Sequence, residues 1–69
     1  MTQNTTAVKT LANLWLAKIE ARNNAAYGSA KYNKAEAEAE HYERQASLFT
    51  FGDLNHSMTE CLEHFGLSL

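Results

Sequence analysis

The residues of this chain best suited to chemistry gather near its C-terminal end. His56, Cys61 and His64 are spaced five and three apart, and on a helix Cys61 and His64 would share a face. Thiolate and imidazole are the ligands zinc prefers, but a structural zinc takes four. Only three lie close in sequence, with His41 a distant fourth, and the paired spacing of zinc motifs is missing. Cys61 also falls inside an apolar stripe, so the simpler expectation is a small core thiol, with histidines at the surface or at helix ends. No cofactor is expected. As a nucleophile, Cys61 would need His64 to take its proton, together with an oxyanion site and a pocket. A helical chain of 69 residues leaves little room for such a cleft, and no glycine-rich loop is present to cradle phosphate. The expectation is therefore not an enzyme, and no small-molecule substrate.

The carboxylates Glu36, Glu38, Glu40 and Glu43 invite a second reading. Glu38-x-x-His41 has the spacing found in di-metal carboxylate bundles, which need that pattern on facing helices. It occurs once here, and the remaining glutamates spread around the helix, which suits a solvated surface. A nucleic-acid contact would fall to Lys9, Lys18, Arg22, Lys31 and Lys34. These are spread along the chain without a recognisable motif, so nucleic acid is the lesser alternative. The net charge of −2 hides a split. Residues 1–34 carry those five cations against Glu20 alone, +4, whereas residues 35–69 carry Arg44 against seven acids, −6. Because the charges are interleaved with apolar residues, the two halves are expected to attract each other in antiparallel packing.

The elements that must position these groups are helical. Val and Ile together total two, which argues against a sheet-based fold. Val8, Leu11, Ala12, Trp15 and Ile19 share one face of a helix over about residues 6–24, with Asn4, Thr5 and Thr6 as candidate caps. Leu16 borders that stripe and Leu14 lies well round from it, so this helix is greasier than one packing face requires. Tyr32, Ala35, Ala39, Tyr42, Ala46 and Phe49 follow at spacings of 3, 4, 3, 4 and 3, the a/d seam of a coiled coil, over about residues 29–50. Alanines in that seam let a partner helix approach closely. Residues 23–29 hold the breakers Asn23, Asn24, Gly28 and Ser29, and the two stripes fall out of phase across them; the pattern leaves a turn and a kink in one long rod both open. Thr50 to His56 reads as a loop. Ser57-Met58-Thr59-Glu60 is a capping box that opens a short helix over about residues 57–65, with Leu54, Met58, Cys61, Leu62, Phe65 and Leu69 on its apolar side.

The chain is thus expected to be a single all-α domain, residues 1–69: a helical hairpin plus a short C-terminal helix, either closed as a three-helix bundle or completed as an oligomeric bundle. Of its 31 apolar residues eleven are alanine, a thin supply for an independent core. Three amphipathic faces compete for cover where a hairpin hides two. The expected function is non-catalytic protein binding, with a protein partner, a homo-oligomer or both, through Leu14, Trp15, Tyr32, Tyr42, Phe49, Leu62 and Phe65. Size alone suggests a small accessory or inhibitor protein of the phage or mobile-element kind. A lone cysteine, no signal-like start and no long apolar run predict a cytoplasmic protein with no membrane association.

Overall fold

The computed structural model describes residues 3–68. They form three helices, α1 (Gln3–Asn23), α2 (Ala30–Phe51) and α3 (Met58–His64), with no strand among the described residues. The first two pack as a hairpin, and α3 lies across its open end, touching both. Overall dimensions are 39 × 21 × 16 Å.

Between α1 and α2 the chain turns. The Asn24 amide still donates to Glu20 O, then Ala25 N–H reaches only Arg22 O, and Ser29 N–H returns to Ala26 O. Gly28 adopts φ +78°, a left-handed conformation that costs a β-carbon-bearing residue energy and that no continuous helix could contain. Ser29 then caps α2, its hydroxyl accepting the Tyr32 amide at 3.1 Å. A turn, not a kinked rod, therefore separates the two stripes.

Other boundaries differ from expectation by a few residues. Helix α1 begins at Gln3, so Thr5 and Thr6 lie inside it. Asn4 reaches sideways, its side-chain amide donating to Phe49 O at 3.4 Å. At the far end of α2, Thr50 and Phe51 extend the helix past the expected loop boundary. The Thr50 hydroxyl donates to Ala46 O at 2.8 Å, and Gly52, at φ +75°, closes the helix with its amide on Leu48 O. Helix α3 carries the expected capping box. Ser57 Oγ accepts the Glu60 amide at 3.2 Å, and Glu60 Oε1 accepts the Ser57 amide at 2.9 Å. Glu43 adds a tie from α2, accepting the Met58 amide at 2.8 Å.

The core sits at the open end of the hairpin. Val8, Ala12, Ala46, Met58, Cys61 and Leu62 are buried together, with Leu11, Trp15, Phe65 and Leu67 packed around them. Met58 is the largest wholly buried side chain, and such burial contributes about 1.5–3 kcal/mol. Toward the turn the contact narrows to Ala35 and Ala39, whose small side chains let the helices approach closely. Ion pairs flank that alanine contact: Lys18–Glu38 at 3.3 Å and Arg22–Glu36 at 3.8 Å. Both pairs are part exposed, so each contributes less than about 1 kcal/mol and serves register more than stability. They join the basic and acidic halves in the antiparallel sense the charge split implies.

Candidate functional surface

The last turn of α2 and the loop behind it hold most of the polar architecture. Ser47 is fully buried, yet its hydroxyl is satisfied twice: it donates to Asp53 Oδ1 at 2.8 Å and accepts the His56 amide at 3.1 Å. Asp53 Oδ1 also accepts the Asn55 amide at 3.0 Å and contacts His56 Nδ1 at 2.8 Å. These contacts lower the Asp53 carboxyl from its usual 3.8 to about 2; the Asn55 amide is the largest cause, followed by His56 and Ser47. Ser, Asp and His are the residue types of a hydrolytic triad, but the wiring differs. The serine hydroxyl points at the aspartate and not at the imidazole, and no substrate atom could reach it. The trio acts as a clamp that folds residues 52–57 back onto α2.

The histidines and the cysteine are not gathered around one point. His56 stacks on Phe51, centroids 3.8 Å apart and rings inclined by 19°, while His64 meets the same ring edge-on at 5.1 Å and touches Phe65 at 5.0 Å. Phe51 thus contacts both imidazoles. Cys61 is wholly buried in the core, and burial pushes its thiol above the usual range. Among the described residues no three His, Cys, Asp or Glu side chains are placed to hold a metal ion.

The seven expected interface residues divide. Leu14 and Phe49 are exposed, at 42% and 45%. Trp15 and Phe65 pack around the core, and Tyr32 and Tyr42 are half-buried. Tyr32 meets Tyr27 at 5.0 Å with the Arg22 guanidinium 6.0 Å from its ring. Leu62 needs correction: at 9% exposure it belongs to the core, because α3 turns its apolar side inward onto α1 and α2. Leu54, expected on that same side, is instead 53% exposed in the loop, and Leu69 lies outside the described residues. Leu48 at 48%, Phe51 at 37% and Leu54 join Phe49 to place four large apolar side chains at the surface within seven residues. Leu48, Phe51 and Leu54 were not singled out by the spacing of the α2 seam, since they lie off it.

Two grooves flank the hairpin. One, of about 460 Å³, is floored by Trp15, Ile19 and Ala39 and walled by Arg22, Glu36, Glu40 and Glu43. The other, of about 430 Å³, is floored by Ala21, Ala25 and Ala35, with Lys18, Lys31, Lys34 and Glu38 at its edges. Of the five expected nucleic-acid cations, Lys18 and Arg22 are paired with glutamates, whereas Lys9, Lys31 and Lys34 are exposed. No helix is long and apolar enough to cross a membrane among the described residues. Comparison with protein-family models, with curated proteins and with solved structures finds no match to this chain.

Proposed function

We propose that this chain is a non-catalytic protein-binding module whose contact surface is the apolar end of α2 with the loop that follows. The observation that carries the reading is the exposure of Leu48, Phe49, Phe51 and Leu54 within seven residues, a denser run than the exposed Leu14, Leu16 and Tyr27 elsewhere on the chain. Large apolar groups left together at a surface mark sites where another surface covers them. Aromatic residues supply the anchoring area of such contacts. The clamp of Ser47, Asp53 and His56 supports the same reading, because it holds the loop in place before any partner arrives and so reduces the ordering cost of binding. A cytoplasmic location forms part of the proposal, as the single cysteine offers no internal disulfide.

The test pairs a Leu48→Ser, Leu54→Ser variant with the wild type. Both sites are about half exposed, so circular dichroism should show the fold intact. The wild type should co-purify with one stoichiometric protein from the source cells, and the variant should not. A wild type that captures no such partner would sink the proposal, as would a folded variant that binds it unchanged.

A further inference from the structure

We infer that copies of this chain associate head to tail, the acidic groove of one receiving the basic groove of the next. The occupant is argued from charge and placement. Glu36, Glu40 and Glu43 against Arg22 give the first groove a net −2, trimmed to −1 by Arg44, which pairs with Glu40 at 3.8 Å from outside the groove, while Lys18, Lys31 and Lys34 against Glu38 give the second a net +2. Lys31 and Lys34 are exposed and make no ion pair among the described residues. The floors complement each other as well. Trp15 and Ile19 present bulk in the acidic groove, and Ala21, Ala25 and Ala35 leave room for it in the basic one.

Placement dictates the symmetry. At roughly 100° per residue, Glu36 and Glu43 point about half a turn away from Lys34 and Glu38 around α2. The two grooves therefore lie on opposite flanks of the hairpin. A two-fold dimer needs each copy to offer both members of the pair on one face, which this arrangement forbids. Joining unlike faces gives a heterologous contact, and such contacts build rings or open chains of copies. The apolar run at residues 48–54 takes no part, so this association and the binding proposed above stand or fall separately.

Two variants separate the faces. Lys31→Gln, Lys34→Gln removes the basic face, and Glu36→Gln, Glu40→Gln removes the acidic one. All four residues are on the surface of α2, and Glu43 is spared because it ties down α3. Light scattering at low salt should show a wild-type mass that climbs with concentration past twice the monomer mass. The mass should return to that of the monomer in about 1 M salt, where screening acts within roughly 3 Å. Each variant alone should be monomeric. Mixed together they retain one intact pair of faces, so they should form a one-to-one heterodimer and nothing larger.

Four results would overturn the inference: a wild-type mass that plateaus at the dimer, a wild type monomeric throughout, variants that assemble alone, or a mixture that stays monomeric. If a monomeric wild type binds a lysine-rich helical peptide and the Glu36→Gln, Glu40→Gln variant does not, the acidic groove takes a foreign partner instead. If it binds DNA through Lys31 and Lys34, the basic groove does.

Discussion

Replacing Ser47 by alanine probes the least expected feature of the molecule. The substitution removes one buried hydroxyl, and the methyl group that remains fits the space. The His56 amide then loses its acceptor at 3.1 Å and cannot turn to another without moving the loop. A donor left unpaired at this part-buried site costs about 1–2 kcal/mol. The lost contact to Asp53, whose carboxylate faces solvent, is left outside that figure. For a domain of this length, 1 kcal/mol shifts the melting temperature by about 4–8 °C, so Ser47→Ala should melt roughly 5–15 °C below the wild type. Thermal unfolding followed by circular dichroism at neutral pH measures it. A second reading comes from amide exchange, which should quicken at His56 and Asn55 while the core amides of α1 slow or speed only with global stability. A melting point within about 2 °C of wild type would refute the clamp, because an amide half shielded from water would then have lost its partner at almost no cost.

Three further outcomes follow from the same contacts. Met58→Ala should cost about 2–5 kcal/mol by opening a cavity under α3, a large share of the stability available to so short a chain, and urea unfolding should show the midpoint collapse. Because the Asp53 carboxyl is lowered to about 2, its contribution is fully present above the unfolded value near 3.8 and is lost as pH falls through about 2; a stability profile over that window should flatten in Asp53→Asn. Cys61, buried and with its thiol raised, should react with a thiol reagent at mildly alkaline pH far more slowly than in the urea-unfolded chain, and equal rates would place it at the surface.

Much of the hairpin could be read directly from the residues. The 3–4 spacing from Tyr32 to Phe49 found the buried face of α2 at Ala35, Ala39 and Ala46, because helical geometry converts spacing into direction with few exceptions. The Ser57 to Glu60 pair was legible for a similar reason: a capping box is local, and its two hydrogen bonds need only the first turn of a helix. The start of α1 was less so: Asn4, Thr5 and Thr6 are all competent caps by residue type, yet the helix already begins at Gln3 and holds all three inside it. Periodicity says which side chains share a face and nothing about what that face meets. Leu62 and Phe49 therefore looked alike, yet one is core and the other surface. The clamp was out of reach for a different reason. Ser47, Asp53 and His56 meet only once Gly52 has turned the chain back, and that reversal depends on tertiary fit rather than spacing.

The position of the core at one end of the hairpin has a mechanical consequence. At the turn the two long helices are joined covalently, with alanines and part-exposed ion pairs between them; at the other end they meet through Val8, Ala12 and Ala46 and the Asn4 bond to Phe49, and α3, a helix of seven residues, closes the core over them. The molecule thus resembles tweezers whose tips are latched by a small catch. Release of that catch would remove Met58, Cys61 and Leu62 from between the arms in a single event and free them to splay about residues 24–29. Opening and loss of the core are then one step, and whatever stabilises α3 sets how often the arms part.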